Sequence, residues 1–227
     1  MANSRRDFLG RLAAVAALAG GVVGASPRRL GAEPGPRPVS DKWDMSWIDR
    51  ITGKFRGVFD SPKLAEGGEI WRAAMWKSQI IDVYGITNEE VNSVLVIRHA
   101  GIPLAMDDAF WGRHQIGKKR KVKDLWTGKT AVANPIRSWE GKPNVPPTMA
   151  GTSLEGYLAK GGVVLACNMA FGLMVHLESQ LTKETDRAAV RTRLLGSLVP
   201  GIILQPSGFF ALLEAQRAGC HLFAAGE

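Results

Sequence analysis

Residues 161–171, Gly-Gly-Val-Val-Leu-Ala-Cys-Asn-Met-Ala-Phe, constrain the fold of this chain more than any other stretch. The unbroken apolar run of Val163, Val164, Leu165 and Ala166 leaves no side of an extended segment suited to water. It reads as a strand buried on both faces, the kind found in the middle of a parallel sheet. The run ends at Cys167, and the residues from Asn168 to about position 181 read as a helix. Cys167 is therefore expected at the carboxyl end of a central strand, just ahead of a helix N-terminus. Open α/β sheets bind their ligands along that edge. The first-turn N–H groups and the helix dipole there favour a thiolate over a thiol. Cys167 is the leading candidate for a reactive atom.

Around this strand, strand and helix patterns alternate. Residues 54–60 read as a first strand, turned by Ser61-Pro62. From 68 to 84, Ile70, Trp71, Ala74, Met75, Ile80, Ile81 and Tyr84 recur at helical spacing, and Gly85 closes the helix. Residues 93–99 form the second predicted strand, and Gly101-Ile102-Pro103 turns into a helix over 104–114. Residues 115–151 break the rhythm with the basic run 118–123, Thr127-Gly128 and Pro146-Pro147. A loop of that length inside a compact domain is usually functional or disordered. Its Gly128-Lys129-Thr130 resembles the end of a phosphate-binding loop, but the glycine required five residues earlier is Lys123, which excludes that route to nucleotides. A short helix at 153–160 leads to the Cys167 strand. Helices at 168–181 and 186–197 follow, then a fourth strand at 200–205. Pro206-Ser207-Gly208 opens a helix to 218 with Ser207 as N-cap, and 220–223 is a short last strand. This order predicts an α/β fold with a five-stranded, mostly parallel sheet covered on both sides. One domain over 54–227 suffices, with 115–151 as an insertion and 33–53 as a Pro-rich linker and Trp-bearing lead-in.

Composition narrows the class. Hydrophobic residues make up 45% of the 227, enough for a core and inconsistent with a wholly disordered chain. The net charge of +8 is partly local: residues 1–32 hold five of the 29 basic residues and one of the 21 acidic ones, so a form without them is near +4. With the basic run reading as a solvated loop, no nucleic-acid partner is expected.

Residues 1–32 also indicate a compartment. Arg5-Arg6 is followed by Phe8-Leu9 and by an uncharged apolar stretch over 12–25, then by small residues at 23–25 and 30–32. The stretch is shorter than the roughly 18–20 residues that span a bilayer. The pattern resembles a bacterial twin-arginine export signal and implies a periplasmic location, with membrane contact only through that signal.

Three tracts carry a family resemblance: residues 93–99; Gly162-Val163-Val164-Leu165-Ala166-Cys167; and Leu198-Val199-Pro200-Gly201-Ile202-Ile203-Leu204-Gln205-Pro206-Ser207-Gly208, continued by Leu213-Glu214-Ala215-Gln216-Arg217-Ala218-Gly219-Cys220. With these the chain resembles the DsrE/DsrF-like sulfur-relay family over about 54–223. The resemblance implies a three-layer α/β/α sandwich that often forms homo-oligomers. It also implies that the cysteine at 167 carries sulfane sulfur as a persulfide, exchanged with a donor or acceptor protein. The export leader and the insertion depart from the cytoplasmic relay members.

The other site candidates follow from position. His99, ending the neighbouring strand, would share the Cys167 edge and could accept the thiol proton, or serve as a hydrogen-bonded structural histidine. Arg98 is a candidate anion-binding side chain that could instead face the other side. Asn168 could offer its amide or cap the helix. Ser207 starts a helix whose N-terminus faces the same edge. Cys167 itself could be a small core hydrophobe. His114, His176 and His221 show no metal-ligand spacing, and Cys167 and Cys220 form no CxxC, so no metal and no cofactor are expected. Cys220 would begin a strand at the opposite sheet edge, too far to bridge Cys167.

Overall fold

Five parallel strands make one sheet: β1 (Phe55–Ser61), β2 (Val91–Ile97), β3 (Val163–Cys167), β4 (Ile203–Gln205) and β5 (His221–Phe223). Their spatial order is β4-β3-β2-β1-β5. This computed structural model describes residues 41–224; the twin-arginine-like leader lies outside the described residues. The register places Val58 opposite Val94, Val96 opposite Leu165 and Cys167 opposite Gln205. All five residues of β3 are buried, as a strand apolar on both faces must be.

The period of two along each strand divides the interior into two cores. Phe59, Leu95, Ile97, Val164 and Ala166 face one side, where they meet α1 (Gly68–Tyr84), α5 (Asn168–Thr182) and α6 (Arg187–Leu195). Val58, Val94, Val96, Val163 and Leu165 face the other, against Ala211, Leu212 and Ala215 of α7 (Gly208–Arg217). Helices therefore cover both faces, and the architecture is an α/β/α sandwich. Between β2 and β3 the first face also carries α2 (Asp108–His114), α3 (Ile116–Arg120) and α4 (Leu154–Ala159).

The strand order explains where a site can form. The chain steps from β1 to β4 in one direction, with its connections on the first face. It then returns to β5 at the far edge, and a right-handed connection travelling backwards has to cross the opposite face. At the carboxyl edge, β3 therefore leads into α5 on one side while β4 leads into α7 on the other. Loops diverging from adjacent strands leave a crevice between them, and ligands of open α/β sheets bind in such crevices.

Local structure departs from the sequence expectations in five places. The fourth strand, expected over 200–205, is only Ile203–Gln205, because Pro200 and Gly201 form a turn with Gly201 at φ +90°. β2 begins and ends two residues earlier than 93–99, because the chain leaves the ladder at Arg98 and His99 takes a left-handed conformation with φ +50°. The 104–114 helix is split: a 3-10 segment, His99–Ala105, precedes α2, whose N-cap Asp107 accepts from the Phe110 N–H. The insertion, expected as a functional or disordered loop, is partly built into the fold. Val122, Ala131 and Ile136 enter the main core, and Asn134 Nδ2 donates to the Leu104 and Met106 carbonyls at 2.9 and 2.7 Å. Its basic residues Lys118, Lys119, Arg120, Lys121 and Lys123 are exposed, as expected of a solvated run. The lead-in is likewise more than a linker. Trp47, in the 3-10 segment Ser46–Arg50, is fully buried in the second core, and Gln205 Nε2 donates to the Asp44 carbonyl at 2.8 Å.

Candidate functional site

Cys167 closes β3 and is also the N-cap of α5: the Ala170 N–H donates to its Sγ at 3.4 Å. A cysteine replaces the usual Ser, Thr or Asp at this position, so the strand end and the helix start converge on one sulfur atom. The residue is only 7% exposed, yet it borders a cavity of about 320 Å³ open to solvent. That cavity occupies the crevice between the divergent β3 and β4 loops.

His99, Arg98 and Ser207 line the same cavity. His99 is exposed, and its left-handed backbone is a conformation that costs a non-glycine residue about 1–2 kcal/mol. Such strain persists only where surrounding structure enforces it. Here the enforcement is visible: the Arg98 N–H donates to the Ser61 carbonyl, and the Gly101 N–H donates to the Pro62 and Arg98 carbonyls. Among the described residues the imidazole makes no hydrogen bond or ion pair.

Arg98, the anion-binding candidate, lines the cavity while engaged within the protein. Its guanidinium forms a two-pronged pair with Asp60 at the end of β1, Nε to Oδ1 at 2.8 Å and Nη2 to Oδ2 at 2.7 Å. The other side of the guanidinium lies 4.7 Å from the ring centroid of Phe209. The stem of Arg98 runs so close to α7 that a Cβ on Gly208 would fall 2.5 Å from its Cδ. Arg98 is thus a paired wall of the cavity.

Ser207 caps α7 as expected, its Oγ accepting from the Phe210 N–H at 3.1 Å. Asn168 does not join the cavity lining. It is the first residue of α5, and its Oδ1 accepts from Arg191 Nη2 at 2.5 Å, which ties α5 to α6. Four of the five sequence candidates therefore meet at one crevice, and Asn168 holds a wall from outside it.

The sequence reading missed the apolar part of the site. Met169 and Leu173 on α5 and Phe209 on α7 line the mouth at 72%, 56% and 71% exposure. A signal for them existed. Helix α5 carries apolar residues at 169, 170, 171, 173, 174, 175 and 177, more than a helix with one buried face can hide.

Cys220 sits apart, before β5 at the opposite ends of the strands. Both cysteines are free, and burial pushes the Cys220 thiol up to about 11 despite the nearby Arg56 charge. Among the described residues no cluster of three His, Cys, Asp or Glu side chains could hold a metal ion. No helix among them is long and apolar enough to cross a membrane. Comparisons with family models, with curated proteins and with solved structures found no match for this chain.

Proposed function

We propose that this chain is an exported, DsrE-like protein that carries reduced sulfur as a persulfide on Cys167. The observation that carries the reading is the placing of the Cys167 sulfur, at the C-terminus of a central strand and the N-terminus of α5, on a cavity shared with His99. The chemistry needs little else. A Cys167 thiolate attacks the outer sulfur of a sulfane donor; the new S–S bond forms as the donor's S–S bond breaks, and the donor leaves as a thiolate. A second thiolate, on an acceptor protein, then takes the outer sulfur and regenerates Cys167. His99 is the lining group able to take up the Cys167 proton. The Ala170 N–H, already aimed at the sulfur, holds the anion in place. Location in the periplasm rests on the Arg5-Arg6 leader, and a homo-oligomer accords with the family resemblance.

Incubation with a sulfane donor is expected to add the mass of one sulfur atom to the intact protein, mapped to Cys167, lost in Cys167→Ala and kept in Cys220→Ala. Equal sulfur uptake by Cys167→Ala overturns the reading. The slight exposure of Cys167 favours a second one, a non-catalytic binding module with a structural cysteine. Alkylation of the native protein separates the two: a thiol that reacts well below about pH 8 belongs to a carrier, and one that reacts only after unfolding belongs to a module.

A further inference from the structure

The cavity beside Cys167 is much larger than the sulfur atom that the proposed chemistry delivers, and its walls show what arrives with that atom. A volume of about 320 Å³ falls within the range of small-molecule sites. Met169, Leu173 and Phe209 present their side chains to solvent at its mouth. Exposed large apolar side chains gathered around a concave site mark a binding surface. The one permanent cation among the described lining residues, Arg98, is neutralised by Asp60 and covered on one side by Phe209. A small inorganic anion would find no unpaired arginine or lysine among the lining residues, whereas an apolar body would find three side chains to cover.

We infer that, given sulfur relay through Cys167, the donor is a low-molecular-weight organic persulfide with an apolar body, seated against Met169, Leu173 and Phe209. The step balances as a transfer: the Cys167 thiolate attacks the terminal sulfur of R–S–SH, a new S–S bond forms as the donor's S–S bond breaks, R–S⁻ departs with its R–S bond intact, and the protein is left as Cys167–S–SH. Both thiol and persulfide exchange roles, with no outside oxidant or reductant.

The test uses the full chain with benzyl persulfide, glutathione persulfide and thiosulfate, each loading rate at Cys167 read by intact mass and divided by that donor's rate with free cysteine. Benzyl persulfide is expected to exceed the other two by about tenfold, the scale of one well-filled apolar contact. Leu173→Ala and Phe209→Ala, which truncate exposed side chains, should each shrink that advantage several-fold. Benzyl methyl sulfide, which has the apolar body but no transferable sulfur, should slow alkylation of Cys167. Equal normalised rates for the three donors, or an advantage that survives both substitutions, overturns the inference while leaving sulfur relay standing. Absence of loading by every donor overturns relay and this inference together.

Discussion

His99 and Arg98 are neighbours in sequence with opposite roles at the crevice. Arg98 is fixed by its pair with Asp60, while the His99 imidazole is unengaged among the described residues and sits on a strained backbone. Asparagine tolerates the left-handed region better than most residues, so His99→Asn removes the imidazole without asking the turn to refold. If the imidazole accepts the Cys167 proton, sulfur loading near neutral pH should fall about 100-fold, the lower end of what a positioned base contributes. Circular dichroism should be unchanged, and an unaltered loading rate would assign His99 a structural role. At this scale the sequence was informative wherever a residue's role follows from its neighbours. Ser207 reads as a cap from Pro206-Ser207-Gly208 alone. The partner of Arg98 could not be read, since Asp60 lies 38 positions away and the pair exists only because β1 and β2 lie side by side.

Helix α5 carries the cysteine at one end, and its middle is anchored by a buried carboxylate. Glu178 accepts from His114 Nε2 at 2.5 Å and pairs with Arg113 at 3.3 Å, fastening α5 to α2. Burial alone would raise this carboxyl, but the His114 hydrogen bond and the Arg113 charge outweigh it and hold the group below its usual 4.5. A lowered folded value means the stabilisation is complete above the ordinary carboxylate range and is lost as pH falls through the folded value. Glu178→Gln should cost about 2 kcal/mol at neutral pH, the worth of hydrogen bonds to a charged group. The difference from the parent should shrink in urea titrations taken from about pH 7 toward pH 3. Element boundaries were legible where apolar periodicity was strong: β3 and α5 fall within a residue of expectation. They were missed at 99–105, because a 3-10 turn around a left-handed histidine leaves no periodic trace.

For the molecule as a whole, the alternation of strands and helices foretold a covered parallel sheet, but not the strand order. That order is set by which strands pair across long connections, and it alone decides that the β3 and β4 loops diverge. The contribution of the lead-in was equally hidden. Trp47 is buried in the second core, and among the described residues its Nε1 has no hydrogen-bond partner. Trp47→Ala should cost about 3–5 kcal/mol, a large share of the roughly 5–15 kcal/mol that holds a domain together. Trp47→Phe should cost much less, because it also deletes an unsatisfied donor whose burial costs about 1–3 kcal/mol. Thermal unfolding of the two variants checks the ranking, and equal losses would contradict it.

The clasp between Arg98 and Asp60 has a consequence for traffic at the crevice. A doorway whose fixed positive charge is cancelled on the spot adds little long-range pull of its own, and the dipoles at its helix ends reach barely past the first turn. On the proposed reading, Arg98 does little to steer a donor inward. Retention would then depend on how well the donor sheds water against Met169, Leu173 and Phe209.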